Sequence, residues 1–169
     1  MSAVPFALRD YRPEDFDPLW HLDQECFPPG IAYSRHELKS YLGHNGSFTL
    51  VAENMIAEMA TADDAETAVI AGFIVAYPGP TGHIITIDVR TSARRSGLGS
   101  LLLSAAEDRL RAAGSHAVGL ETAVDNLPAL SFYKRHGYNV IRTRPRYYSN
   151  GVDALVLKKE FAPNAGGEV

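Results

Sequence analysis

The chain has 169 residues, 46% hydrophobic and 21% charged, with 16 basic against 20 acidic side chains and one cysteine. That length predicts one domain able to bury its own core, and the near-average composition excludes disorder, collagen-like repeats and coiled coil. Cys26 alone excludes an internal disulfide, six scattered histidines predict no metal, and no apolar run approaches the roughly 20 residues that span a bilayer.

In chain order, residues 6–9 form a strand candidate. Pro13 followed by Glu14 and Asp15 reads as a helix start, and Phe16, Leu19, Leu22 and Cys26 recur at helical spacing. Pro28-Pro29-Gly30 ends that helix. Ser34 with Glu37 three residues on is a capping box for a second helix carrying Leu38, Tyr41 and Leu42. Residues 47–53 are strand-like, and residues 54–67, acidic and weakly patterned, read as a hairpin extension or loop. Two β-branched runs come next, 69–77 and 83–89, separated by Pro78-Gly79-Pro80. Residues 98–113 form a strong helix stopped by Gly114. A strand at 117–121, a helix at 127–136 closed by Gly137, and strands at 138–143 and 152–158 complete the pattern. Between the last two lies Ser149-Asn150-Gly151, a turn signal. The chain reads as one domain over residues 1–160, with residues 161–169 a frayed tail. Arg9, Asp10 and Arg12 interrupt any signal-peptide apolar core, so the expected location is the cytoplasm, without membrane contact.

Residues 1–89 carry 4 basic and 13 acidic side chains, and residues 90–169 carry 12 and 7. Either these are two solvated faces, or one half suits an anionic ligand and the other a cationic one. The sharpest motif is Arg94-Arg95-Ser96-Gly97-Leu98-Gly99-Ser100, between a strand and a long helix. Glycines let backbone N–H groups approach an anion, and the helix N-terminus adds a favourable dipole. A Walker loop needs Gly-Lys-Ser/Thr, and here Ser100-Leu101 follows Gly99. A Rossmann fingerprint needs a small residue where Leu102 stands. As a bare Gly-x-Gly turn the motif is also compatible with no ligand.

Strand, Arg-x-x-Gly-x-Gly, long helix, then strand, Asn126, Phe132-Tyr133 and Gly137-Tyr138 resembles the GNAT superfamily of acetyl-CoA-dependent N-acetyltransferases, over roughly residues 4–159. Leu120-Glu121, Ala129, Arg146-Tyr147-Tyr148 and Asp153-Ala154 tighten it toward the RimI-like branch of protein N-terminal acetyltransferases. The resemblance implies an α/β fold with a central mixed, mostly antiparallel sheet of six to seven strands, about four helices, and a splayed strand pair that binds acetyl-CoA. It places Arg94, Arg95, Ser96, Gly97, Leu98, Gly99 and Ser100 around the pyrophosphate and Ile87, Asp88 and Val89 on the bulged strand. The Val89 N–H would lie near the thioester carbonyl, and Asn126 on the pantetheine arm, with a helix N-cap as its plainer role. Glu121 would be the general base, its pKa raised by partial desolvation, and Tyr133 the general acid. Tyr147 and Tyr148 would hold an incoming peptide backbone, facing Tyr33 and the loop 27–31. Cys26 reads as core, and the transfer as direct.

The sequence departs from that pattern at Asp88-Val89-Arg90-Thr91, where Val-Asp-Pro is more usual, and at Pro128 inside a helix, which a first turn tolerates. The acidic half would attract the cationic amine, with Asp88 and the 58–66 segment contributing. The leading expectation is Nα-acetylation of a protein or peptide N-terminus of the ribosomal-protein-alanine type, by a monomer or homodimer. Acetylation of a small amine (polyamine, amino acid, aminoglycoside) or of lysine stays open, as does an acetyl-CoA-binding module without turnover. Nucleic-acid binding is not expected, since the chain is net acidic and its basic residues form no aromatic-interleaved stripe.

Overall fold

The computed structural model describes residues 6–55 and 70–163; most of the acidic 54–67 segment and the end of the tail lie outside the described residues. Seven strands form one sheet: β1 (Phe6–Asp10), β2 (Phe48–Asn54), β3 (Ile70–Tyr77), β4 (Thr81–Val89), β5 (Ala117–Ala123), β6 (Asn139–Arg144) and β7 (Ala154–Glu160). Their order is β1-β2-β3-β4-β5-β7-β6, and every pairing is antiparallel except β4 with β5. Helices α1 (Phe16–Cys26) and α2 (Arg35–Leu42) cover one face, and α3 (Leu98–Ala112) with α4 (Leu127–Arg135) the other.

Local chemistry accounts for the element ends. Pro13–Asp15 forms a tight 3-10 turn rather than the first turn of α1, because the Asp15 carboxylate folds back onto the Arg12 N–H at 2.8 Å and is clamped by Arg9. The Ser34 hydroxyl accepts the Glu37 N–H at 3.1 Å, capping α2. Gly114 takes a φ of +95° after α3, letting the Ser115 N–H close back on the Leu110 carbonyl. β4 begins two residues before its apolar run, since Thr81 and Gly82 pair with Ala117 and Val118 of β5.

Phe73 and Val75 on β3 are fully buried against Leu19, Leu22 and Leu38 of α1 and α2. On the opposite face Ile74 and Ile84 meet Leu98, Leu102, Ala106 and Leu110 of α3. That approach is close at Gly72, where a Cβ would stand 3.3 Å from the Leu98 and Leu102 side chains of α3 and 2.7 Å from the Asp88 carbonyl of β4. The buried Tyr138 hydroxyl donates to Glu107, which also takes the Lys159 ammonium at 2.7 Å, tying α3 to β7. Phe161, which the sequence assigns to the tail, donates its N–H to the His116 carbonyl and packs against the core.

Two features of β4 break the regularity of the sheet. Its register against β3 shifts between Val75↔Thr86 and Ala76↔Ile84, so Ile85 is the extra residue of a bulge. The bulged strand is therefore the one that carries Ile87-Asp88-Val89, with the bulge itself two residues before that segment. β4 and β5 pair only over Thr81–His83 and Ala117–Gly119. Beyond that point β4 stays with β3 and β5 with β7, and the two strands splay.

Candidate active site

The splay opens a cleft of about 1640 Å³ that runs through the molecule between β4 and β5. One end is the turn before α3. There Arg95 and Gly97 both take positive φ, 61° and 86°, and the first-turn amides of α3 have no carbonyl beneath them. Arg94, Arg95, Gly97, Gly99 and Ser100 line the cleft, whereas the Leu98 side chain is buried in the core, so only its backbone can serve a ligand. A Cβ on Gly99 would stand 3.3 Å from the Phe132 ring of α4. Ser96 caps the Ala93 carbonyl, and the Ser100 hydroxyl meets His136 Nε2 at 2.9 Å. Convergent amides, a helix N-terminus and two arginines fit a polyanion.

Along the gap, the Arg90 N–H bonds the Ala71 carbonyl of β3 at 2.8 Å, so the preceding Val89 N–H points the other way, into the opening. The Asn126 oxygen accepts the Ala129 N–H at 3.2 Å as the cap of α4, which leaves its NH₂ group free to donate. Tyr133 is buried at the gap, and its hydroxyl has no protein partner among the described residues. Burial, reinforced by the charges of Asp88 and Tyr148, pushes this phenol up and keeps it protonated.

Where the strands part stands a group that sequence reasoning missed. His83, the last β4 residue paired with β5, meets Glu121 with Nε2 2.6 Å from Oε2. Its ring stacks on Tyr77, which stacks on His44. Its position at the head of the β-branched run of β4 was the available signal. Burial acts to raise the Glu121 pKa, but the hydrogen bond to His83 and the charges of His83, Arg144 and Arg142 outweigh it. The net displacement is downward, contrary to the sequence expectation, and Glu121 is ionised at neutral pH. Its second oxygen accepts no protein hydrogen bond among the described residues.

The far end of the cleft is walled by two loops. The Tyr33 ring packs against Tyr41, and its hydroxyl donates to the carbonyl of the bulged Ile85 at 3.3 Å, so Tyr33 offers a ring rather than a free hydroxyl. Tyr147 and Tyr148 stand edge to face, 5.0 Å apart, and their hydroxyls are without protein partners among the described residues. The loops touch where Ser149 donates to the Gly30 carbonyl at 2.9 Å. Gly30, at a φ of +89°, has room for no side chain, since a Cβ would lie 2.6 Å from that of Asn150.

One sequence assignment needs correction. Asp88 is completely buried and turns away from the gap toward α1, where its carboxyl accepts from Thr86 at 2.6 Å. Its side chain is withdrawn from the surface and cannot steer an amine there, whereas its backbone remains part of β4. Among the described residues of the first half, Asp15 and Glu53 pair with Arg9 and Asp17 with Arg35, while Asp10 and Glu25 reach Arg109 and Arg90 of the basic half. Only the last two pairs join the halves, so ion pairing offsets little of the charge asymmetry. Cys26 packs against the α1–α2 core, as expected, and also borders the cleft, its thiol 3.5 Å from the Val89 carbonyl. Burial and the Asp88 charge push it up to about 11, so it is not a thiolate nucleophile.

Asp88 faces Asp23 of α1. Both are 0% exposed, Asp23 Oδ1 and Asp88 Oδ2 have no donor among the described residues, and the carboxyls lie within hydrogen-bonding reach of each other. Burial pushes both up, and the pair is tenable when it shares one proton. Asp23 also accepts the Tyr33 N–H at 2.7 Å. Because the folded state holds a proton that the unfolded chain releases, the pair's contribution is full below the ordinary carboxylate range. It is lost as pH rises from there through the raised folded values. Asp88→Asn keeps a donor to Asp23 and removes the second charge. Thermal melts from pH 5 to 9 should therefore show a flatter decline, with a gain at pH 8 of roughly 3–6 °C on a scale of about 2–4 °C per kcal/mol. Parallel curves for variant and parent would exclude the shared proton.

Residues 16–138 match the model of the acetyltransferase (GNAT) family, and the chain belongs to that family. It is 32% identical over 166 residues to N-alpha-acetyltransferase 60 of Drosophila melanogaster, covering 88% of this chain and 60% of that protein. The crystal structure of Ard1 from Thermoplasma volcanium superposes with a TM-score of 0.77 at 23% identity, over 94% of this chain and 99% of that one. Naa20 of Chaetomium thermophilum, solved in complex with a bisubstrate analogue, gives 0.72 at 25% identity, over 92% of this chain and 86% of that one. The chain spans about half the length of the first curated relatives it matches. Among the described residues no helix is long and apolar enough to cross a membrane.

Proposed function

We propose that this chain transfers the acetyl group of acetyl-CoA directly to the α-amine of a protein or peptide N-terminus. The observation that carries the reading is that a protonated phenol, Tyr133, and an ionised carboxylate, Glu121, hydrogen-bonded to His83, line one cleft. The names of the N-alpha-acetyltransferase relatives support it.

Acetyl-CoA supplies an activated acyl thioester, and the residues present fit it. The amide-rich turn before α3 suits its pyrophosphate, with Arg94 and Arg95 beside it. The unpaired inner edges of β4 and β5 suit its amide-bearing arm, to which the Asn126 NH₂ can donate. The Val89 N–H is placed to steady negative charge developing on the carbonyl oxygen. At the other end, Tyr147 and Tyr148 present apolar rings with free hydroxyls to a peptide backbone. An α-amine, with pKa near 8, arrives largely as ammonium at neutral pH. The free oxygen of Glu121 takes its proton, directly or through one water, and His83 shares that charge through Nε2. The amine nitrogen bonds to the acyl carbon, the carbon–sulfur bond breaks, and the Tyr133 hydroxyl donates its proton to the departing sulfur; the second proton shed by the nitrogen as the amide forms replaces, through solvent, the one Tyr133 gave up.

The test is thiol release from acetyl-CoA with three acceptor sets: short peptides with free N-termini, the same peptides Nα-blocked but containing lysine, and a panel of small amines. Turnover confined to free N-termini is the expected result. Turnover on small amines alone would recast the tyrosine pair as a pocket wall. Binding of acetyl-CoA without turnover on any set would mark a sensor.

A further inference from the structure

Cross-strand partners share a face of a sheet. Glu121 stands opposite Val156, and Val156 opposite Arg142; Ala123 stands opposite Ala154, and Ala154 opposite Arg144. Arg142 and Arg144 therefore share the face of the Glu121 carboxylate. On that face α1 and α2 pack over β2, β3 and β4, whereas the β5, β7 and β6 residues line the open cleft. This floor carries three cations, Arg142, Arg144 and Lys158. Its single carboxylate, Glu121, is already engaged by His83, and Lys158 is paired with Glu160 at 3.1 Å. Neither arginine has a hydrogen bond or ion pair to protein among the described residues. Arg144 rests its guanidinium 5.7 Å from the centre of the Tyr147 ring, which places the pair at the acceptor end rather than at the glycine turn.

Two unpaired arginines beside the base would repel a cationic amine unless the rest of the acceptor compensates. We infer that Arg142 and Arg144 select acceptors with an acidic side chain at the second or third residue of the N-terminus. The spacing fits. Arg142 lies two strands from Glu121, roughly 9.5 Å at the backbone, and an extended peptide advances about 3.3–3.6 Å per residue. With its amine at Glu121 and its backbone crossing β7 toward β6, a peptide brings its second or third side chain within reach of a long guanidinium. Arginine suits the task because its planar fork binds a carboxylate with two parallel hydrogen bonds.

This selection rests on the N-terminal acetyltransferase reading, and the experiment separates the two. The purified chain is assayed with acetyl-CoA and three peptides that are identical except at residues 2 and 3, which are Asp-Asp, Asn-Asn or Lys-Lys. The expected kcat/KM is roughly five- to twentyfold higher for Asp-Asp than for Asn-Asn, within the range of one or two charge-assisted contacts. Lys-Lys should be lowest, and the ratios should shrink as salt is raised. In the R142Q/R144Q double variant the Asp-Asp to Asn-Asn ratio should fall toward one, and R142K/R144K should restore part of it. Equal turnover of all three peptides overturns the selection alone, as does an unchanged ratio in the Gln variant. A raised KM for acetyl-CoA with the peptide ratio intact overturns it too, by giving the arginines to the cofactor's phosphates. Turnover of no peptide overturns both readings.

Discussion

Tyr133→Phe should lower kcat by about 10²- to 10³-fold, the range of a positioned acid or base, while leaving the affinity for coenzyme A within about twofold. The same variant should melt at the temperature of the parent. The phenol hydroxyl has no partner in the protein among the described residues, so its removal breaks no bond of the fold. The ring keeps its edge contacts with Phe132 and Tyr138 at 5.2 and 5.5 Å. A merely structural tyrosine would give the opposite pattern, a shifted melt and a preserved rate. Steady-state kinetics, a coenzyme A titration and a thermal melt on one preparation distinguish the two, and retention of full kcat would remove Tyr133 from the chemistry.

Glu121→Gln should cost about 10²-fold in kcat/KM near pH 6.5, with the deficit narrowing as pH rises above about 8. The carboxylate does not produce this dependence by titrating, since His83 and the nearby arginines hold it in the ionised form. It comes from the acceptor: above the pKa of an α-amine, near 8, the nucleophile arrives already deprotonated and the base is no longer needed. His83→Asn should show the same pH-dependent deficit at smaller amplitude, because Glu121 retains its free oxygen but loses the partner 2.6 Å away that shares the charge. A uniform loss across pH 6 to 9 would make the pair a positioning element rather than a proton acceptor.

Much of the architecture was legible in the chain because local chemistry fixed it. Gly114 and Gly137 closed helices at positive φ, Ser34 opened one, and β-branched runs marked the strands. The glycine turn, Asn126, Tyr133 and the tyrosine pair were picked out by the family resemblance, whose motifs lie along one continuous stretch of the chain. What escaped depends on contacts between distant residues. The bulge at Ile85 is a register shift against β3, which has no signature in β4 itself. His83 and Glu121 are separated by 38 positions and meet only because β4 and β5 pair for three residues. Asp88 was expected to help attract the amine, yet it is buried and faces α1. The direction of the Glu121 pKa was missed for the same reason: its decisive neighbours come from other strands.

The short pairing of β4 with β5 makes this sheet two leaves on a spine. β1 to β4 form one leaf and β5, β7 and β6 the other, joined in the sheet by the Thr81–His83 pairings and backed by α3. A ligand whose amide groups bridge the open part of the gap would act as the missing rungs, so that occupying the site and finishing the fold become one event. The His83–Glu121 pair sits at the top of the spine, where the leaves diverge least. The position that most needs constant geometry is therefore the one anchored by the pairings that join the leaves.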